Sequence, residues 1–482
     1  MTRQSEPVSN CADVLVVGAG LAGLSCAAWL ADAGLRVVVL EAASAAGGRA
    51  RSWTDPHTGD VVDIGPHVLL NRYANLLSLL GRLGTAGQVA WLPRRLLTVQ
   101  DGGRAFPVLT ADLPAPLHWL PTLPGVLPSV TVAELLSNAR VAWKALRGTE
   151  ADFLRLDRLS ARDYLLSLGV RPRFVDWFWE SAAIALLNIP LAHCSAASVL
   201  RLAAHLLGHR DAHFGIARVG LSDLYVPGCR ALLEERGGGL LLDHEVRGVA
   251  REQDAWVAAL EGGRQLRARH CVIAVPPQAL RPLLPFDVPA AAPQWYEPSP
   301  YVSCYLWFDL ALTRDVFWAQ PWSGTRLNTD FYDLSKVRRF GFSGGSVIAS
   351  NIIWSHRAVG LSDSAIIAAT LRELAARCDV APHGHLVAQA VHRIPMSVPA
   401  PLPGAEQHRP GAVLDDGLYL AGDWTRTGLP ACMESAARSG ALAAEAVLAR
   451  CGRPQAIAHP PPAMDGLARW MRRAPASDGG MP

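Results

Sequence analysis

Apolar positions crowd most sharply near the start of the chain. Val14 to Val17 form an unbroken apolar run closed by Gly18, Gly20 and Gly23. A run that short, ended by glycines, predicts a strand buried on both faces of a parallel sheet. The alanine-rich stretch that follows predicts a helix to about Asp32, and Arg36 to Leu40 repeats the apolar strand pattern. Strand, helix and strand in this order make a βαβ unit.

Further along, the period changes by region. Asp63 to Leu83 reads as a turn feeding an amphipathic helix with leucines at helical spacing. Helical patterns dominate 131–146 and 160–207. Phe174, Trp177, Phe178 and Trp179 fall close together in the second of these, which suits either core packing or the wall of a tunnel for a long hydrocarbon. A strand is predicted at 245–249, a meander over 255–260 and 265–269, and a separate buried strand over 271–277. Alternation marks strands at 301–308 and 346–354, helical spacing marks 362–376, and a last helix runs to about Ala449.

Three stretches break these patterns. Residues 106–130 mix proline, leucine and tryptophan. So many prolines forbid a long helix or a central strand and predict an apolar irregular loop, either folded onto its own domain or facing a membrane or a substrate portal. Residues 1–12 are expected to be a disordered leader and 452–482 a flexible tail. Within that tail, Met464 to Arg473 interleaves apolar and basic residues, as a short interfacial anchor does.

Composition narrows the class. A chain of 482 residues, 50% apolar, exceeds the size at which one core keeps growing, so two interleaved domains are expected. A net charge of +3 gives no reason to propose nucleic acid. Nine cysteines show neither zinc spacing nor a disulfide framework, and Cys26 and Cys271 read as small buried hydrophobes. No apolar stretch reaches transmembrane length, and glycines interrupt the first one before it resembles a secretory signal. A cytoplasmic protein follows, with contact at the inner membrane face left open.

The βαβ unit carries the first chemistry. Gly18 permits the tight turn, Gly20 leaves bare backbone for a pyrophosphate, and Gly23 lets the helix pack closely on the strand. Glu41, at the tip of the second strand, is placed to accept hydrogen bonds from ribose hydroxyls, and its charge disfavours a 2′-phosphate. The unit predicts binding of a dinucleotide. There is only one such fingerprint, so a second, nicotinamide-binding domain is not expected. Electrons are left to pass through the substrate, oxygen or a diffusible carrier such as a quinone.

Gly47-Gly48-Arg49, Asp63-Ile-Gly65-Pro66-His67 and, far downstream, Leu418-Tyr-Leu-Ala-Gly422-Asp423-Trp424 with Met433-Glu-Ser-Ala stand in fixed order. On these motifs the chain resembles the flavin-dependent amine oxidase and carotenoid desaturase superfamily. The resemblance implies an α/β fold, a Rossmann-like FAD-binding domain (1–85, 230–285 and 410–451) interleaved with an α+β substrate domain (86–229 and 286–409). It also implies that Gly48 and Arg49 run past the FAD diphosphate, that Val246 contacts the adenine, and that Gly422, Asp423 and Met433 hold the ribityl chain and flavin. Asp423 could instead cap the helix beyond Leu429. Gly65, Pro66 and His67 are expected beside the flavin, although a turn histidine bonded to backbone explains His67 equally well.

Gly-x-His followed by tyrosine and Asn-Leu, the phrase Phe-Trp-Glu with Ala-Leu-Leu-Asn-Ile-Pro, and Trp424-Thr-x-Thr-Gly-Leu-Pro430 narrow the likeness. They resemble the branch holding plant-type desaturases and, above all, the hydroxysqualene dehydroxylases. The implied activity is flavin hydride transfer to a long isoprenoid, with dehydroxylation to squalene first. Carotenoid desaturation, amine oxidation with Lys336 as the active-site lysine, and a non-catalytic flavoprotein remain as alternatives. No triad, metal cluster or carboxylate pair names a catalytic residue.

Overall fold

In the computed structural model, described over residues 11–472 apart from 211 and 343, two large sheets divide the chain. The first has eight strands. Its parallel part runs Gly239–Leu241, Val37–Leu40, Cys11–Val17, Gln265–Ile273 and Leu418–Leu420. Val37–Leu40 is buried throughout, as a parallel strand covered on both faces must be. The helix Leu21–Asp32 packs on one face together with the closing helix Met433–Arg450. Cys26 and Cys271 lie fully buried in this part of the molecule, and burial pushes both thiols up.

The stretch 265–273, predicted as two strands, is one. Its first half pairs antiparallel with Ala255–Leu260 and leaves one face wet, whereas 271–273 pairs parallel with Leu418–Leu420 and is buried. The change of partner along one edge changes the apolar period, which imitates a break.

The second sheet has seven strands in the order Leu386–Pro399, Pro298–Phe308, Val347–Ile353, Asp330–Asp333, Phe317–Ala319, Arg95–Asp101 and Arg104–Leu109. Register places Asp330 opposite Asn351 and Ala319, Tyr332 opposite Phe317, and Tyr301 opposite both Ile353 and Ile394. Since strand side chains alternate between faces, these residues share one face.

Short helices between 117 and 208 cover the end of this sheet. The predicted helix 131–146 is two, Val132–Leu136 and Ala139–Arg147. Thr131 and Glu134 form a reciprocal cap at its start, but Ser137 Oγ and Asn138 Nδ2 both donate to the Glu134 carbonyl and end the first segment. The 106–130 stretch is less irregular than its prolines suggest. Its beginning is in the edge strand Arg104–Leu109, where Pro107 is tolerated, and Leu117–Val126 is helical.

Both ends depart from expectation. Residues 11 and 12, assigned to the leader, belong to the first strand, while 1–10 lie outside the described residues. Residues 452–472, expected to be flexible, are docked. Glu445 accepts from the Ile457 and Ala458 amides, His459 N donates to Asn75, and Ala468 N donates to the Ala115 carbonyl. Local composition does not reveal these partners, two of which, Asn75 and Ala115, lie hundreds of residues away. The remainder, 473–482, lies outside the described residues.

Candidate active site

The turn after the first strand follows from two glycines. Gly18 has φ +104°, and a Cβ there would fall 2.7 Å from the Ala274 carbonyl oxygen. At Gly23 a Cβ would overlap the Gly18 carbonyl oxygen, so helix and strand approach as closely as backbone allows. Gly20 is different, since nothing lies within 4 Å of the position its Cβ would take. That space opens into a cavity. The helix Leu21–Asp32 begins at Gly20 with no side-chain cap, so its first N–H groups and its positive dipole end face the same space.

The glycine pair closes this cradle. Gly47 N donates to the Ala19 carbonyl (2.9 Å), and a Cβ on Gly48 would lie 3.1 Å from Gly20 Cα. At the tip of the second strand, Glu41 accepts from Ala19 N (2.8 Å) and Ala43 N (3.0 Å), which orients its carboxylate. Val246 lines the same cavity.

Arg49 and Asp423 form a single unit. The guanidinium, expected to run past the diphosphate, forks onto the Asp423 carboxylate at 2.9 and 2.6 Å and also donates to the Ser397 carbonyl at 3.1 Å. Asp423 does not cap a helix; the closing helix starts at Met433, with Cys432 as its cap. Arg409 extends the unit. It donates to the carbonyls of Asp423 and Leu429 and pairs with Glu406, which in turn holds Arg201 from the helical region. The two arginines keep the Glu406 carboxyl below its usual range despite complete burial.

Gly422, Asp423 and Met433 border the same cavity as Gly18, Gly20 and Glu41, so widely separated motifs meet. The closing helix is drawn against the first one at Gly440, where a Cβ would sit 2.8 Å from Cys26 N. Glu434 pins it further by accepting from the Asn75 and Leu76 amides at the head of the helix Ala74–Arg82. Gly65, Pro66 and His67 also line the cavity. His67 Nδ1 meets the Gly65 carbonyl at 2.8 Å, and burial lowers the affinity of its ring for a proton. The histidine is thus a backbone-bonded turn residue and a cavity residue at once.

From this cradle the cavity, about 1230 Å³, continues past the second sheet into the helical region. A single small-molecule pocket occupies ~300–1,000 Å³, so there is room for a dinucleotide and a further long ligand. Phe174, Trp177, Phe178 and Trp179 line the far arm with Phe106, Leu123 and Val126. The indoles of Trp177 and Trp179 donate to Asp101 and Asn138, so their polar edges are satisfied while the rings remain in the wall.

Asp330, Asn351, Tyr301 and Tyr332 enter the wall through the shared face of the second sheet, and sequence reasoning passed over all four. An aspartate inside an aromatic strand, Asp-Phe-Tyr-Asp, was the available signal, because strands disfavour aspartate. Desolvation pushes the Asp330 carboxyl up to about 8, against the opposing pull of the Asn351 amide.

The family model for flavin containing amine oxidoreductase matches residues 21–448, and the chain belongs to this family. Hydroxysqualene dehydroxylase of Rhodopseudomonas palustris is 30% identical over 460 residues, covering 90% of this chain and 98% of that protein. The 15-cis-phytoene desaturase of Synechococcus elongatus is 27% identical and covers 91% and 96%. The chloroplastic/chromoplastic 15-cis-phytoene desaturase of Solanum lycopersicum is 26% identical and covers 92% and 78%. Among solved structures, putrescine oxidase bound to putrescine superposes with a TM-score of 0.69 at 18% identity, covering 91% of this chain and 99% of that one. Cyclohexylamine oxidase from Brevibacterium oxydans gives 0.67 at 18%, covering 92% and 100%. At that identity the likeness establishes the fold alone. The protein is an FAD-dependent oxidoreductase with a Rossmann-like cofactor domain, and the glycine cradle and uncapped helix start suit a dinucleotide.

Proposed function

We propose that the protein removes the allylic hydroxyl of a hydroxysqualene-type triterpene alcohol to give squalene, using reducing equivalents held on FAD. One observation carries this reading: the cavity that contains the dinucleotide cradle continues into an apolar arm walled by aromatic and aliphatic side chains. The 30% identity to a hydroxysqualene dehydroxylase over nearly all of that protein supports it. In this reading the first helix and Gly18 and Gly20 face the diphosphate, Gly23 seats the helix, and Glu41 takes the ribose hydroxyls. Val246 lies against the adenine. Gly48, the Arg49–Asp423 pair, Gly422 and Met433 surround the remaining chain, with Gly65, Pro66 and His67 at the flavin. Bound FAD supplies hydride chemistry, and the protein binds, orients and excludes water.

Desaturation of a phytoene-like carotenoid is the second reading, with hydride leaving an allylic carbon, and the tomato and Synechococcus relatives favour it. Amine oxidation is disfavoured. Lys336 sits outside the cavity wall, 3.9 Å from Asp333.

Substrates of this kind dissolve in lipid, and one face suits a lipid surface. Leu117, Leu120, Leu127, Leu136 and Trp143 are exposed beside residues that line the far arm, and the helix Gly466–Met471 adds Trp470 at 87% exposure. Arg140, Lys144 and Arg469 stand among them. This arrangement supports peripheral binding to an anionic bilayer, from which the substrate enters. No helix among the described residues is long and apolar enough to cross a membrane.

Product analysis tests the function. Photoreduced protein in detergent is given hydroxysqualene, while oxidised protein with a quinone is given phytoene and a panel of amines. Squalene from the first supports dehydroxylation, and turnover of amines alone rules out the isoprenoid reading. Flotation with anionic vesicles, lost in a Leu136→Asp/Trp470→Asp variant, tests the membrane face; unchanged flotation would exclude it.

A further inference from the structure

Beyond the cofactor end, the cavity wall formed by the second sheet carries a single carboxyl among the described residues, that of Asp330. Asp330 is 4% exposed, and its Oδ1 has no hydrogen-bond partner among the described residues. Asn351 lies directly across the strand pair and accepts a hydrogen bond from the Tyr301 hydroxyl. That hydroxyl presses on Gly65, where a Cβ would overlap it. A polar cluster therefore runs from Asp330 through Asn351 and Tyr301 to the Gly65-Pro66-His67 turn, in a wall that is otherwise mostly apolar. An unpartnered buried oxygen is costly, so an apolar residue here would stabilise the fold better unless the oxygen meets a ligand.

We propose that Asp330 is the catalytic acid of this site and donates its proton to the departing hydroxyl of the bound alcohol. This rests on the dehydroxylase reading above. Hydroxide is a poor leaving group, so an allylic C–O bond breaks readily only when its oxygen is protonated. The Asp330 O–H proton passes to that oxygen, the C–O bond breaks, and water leaves with the bonding pair. Bound two-electron-reduced flavin would supply the hydride that the electron-deficient allylic carbon needs, and solvent reprotonates the Asp330 carboxylate.

The surroundings keep the carboxyl protonated. Ala319, Asn351 and Tyr332, from the neighbouring strands and its own, and Tyr301, one strand further along the same face, are uncharged at neutral pH. Behind Tyr301 the nearby charges, Asp63 and Arg338, are closed on each other at 2.5 Å. His67, the other titratable group on this part of the wall, is held neutral by burial. Desolvation, which lifts the carboxyl to about 8, thus acts without a cation to oppose it.

The test compares wild type with Asp330→Asn, which keeps size and polarity but removes the proton. FAD content and thermal unfolding should be unchanged. Difference infrared spectroscopy at neutral pH should show a carboxylic-acid carbonyl band in wild type that Asp330→Asn lacks. Single-turnover squalene formation by the photoreduced variant should fall about 10²–10⁴-fold, the usual worth of a positioned acid. The corresponding allylic trifluoroacetate, whose leaving group needs no proton, should react at near wild-type rate in both. If the variant does not fold, the wild-type rate decides: it should decline as pH rises through about 8. A loss under about tenfold, absence of the infrared band, or a flat pH profile overturns the role of Asp330 while leaving dehydroxylation intact. If wild type desaturates phytoene and leaves hydroxysqualene untouched, the dehydroxylase reading falls and the acid role with it.

Discussion

Replacing Gly23 by alanine adds one methyl group where the first helix meets the first strand. That methyl would overlap the Gly18 carbonyl oxygen and lie 3.2 Å from its carbon and 3.0 Å from Ala274 Cβ. None of these atoms can retreat easily. Gly18 N is tied to the Leu40 carbonyl at 2.7 Å, and Ala274 N to the Val17 carbonyl at 2.8 Å. The helix must lift instead, although ten of its twelve residues are buried. Overpacking of this kind costs about 1–3 kcal/mol. Lifting the helix also moves its N–H groups away from the cradle, so flavin should be lost together with stability. Gly20→Ala is the control. Its backbone, φ −74° and ψ 176°, suits alanine, and its Cβ touches no protein atom. The cost to the apoprotein should stay below about 1 kcal/mol, the scale of a weakened N-cap, yet the methyl projects into the cavity at the helix start, and on the proposed placement of the diphosphate FAD affinity should fall. Denaturant unfolding of both apoproteins and flavin fluorescence after gel filtration measure the two quantities. Equal destabilisation by the two variants, or full FAD retention by Gly20→Ala, would refute the separate duties assigned to these glycines.

Other expectations follow from the same geometry. Glu41→Ala should weaken FAD retention with little effect on apoprotein stability, read by equilibrium dialysis; unchanged affinity removes its ribose role. Glu406→Ala leaves Arg201 and Arg409 facing each other without a buried anion, and denaturation should register a loss of about 3–5 kcal/mol. In wild type, the lowered Glu406 value means that its contribution is present above the ordinary carboxylate range and is lost as pH falls through the folded-state value. A Glu406→Gln variant lacks that contribution at every pH, so its deficit against wild type should be full at neutral pH and shrink as pH falls, with acid unfolding beginning at higher pH in the variant. Val126→Trp fills the far arm, so KM for a long isoprenoid should rise while FAD content stays constant, and an unaltered KM would show that the chain lies elsewhere.

Much of the cofactor half was legible from local pattern. The run Val14 to Val17, three spaced glycines and an acid at the next strand tip describe short-range geometry, so their structure is visible without knowing the rest of the chain. The first helix spans Leu21–Asp32, as read, and the closing helix ends at Arg450, one residue beyond the expected end. The aromatic cluster at 174–179 was legible as a pair of alternatives, and it proved to line the cavity while belonging to the helical core. Less legible were contacts with partners outside the local stretch of chain. Arg49 shows a positive charge in sequence, but only the fold brings Asp423 against it. The proline- and glycine-rich end suggested mobility, and Glu445, Asn75 and Ala115 hold it.

The sequence by itself determined the glycine turn, the helices and strands around it and the class of chemistry, because each is encoded by neighbours within a few turns of chain. Only the tertiary structure decided which side chains share the cavity. Strand register turns Asp330, Asn351 and Tyr301 toward one face, although they lie on three strands and up to fifty positions apart. Register is set by cross-strand packing, and a slip of one residue in any of these strands would turn its residue away from the other two.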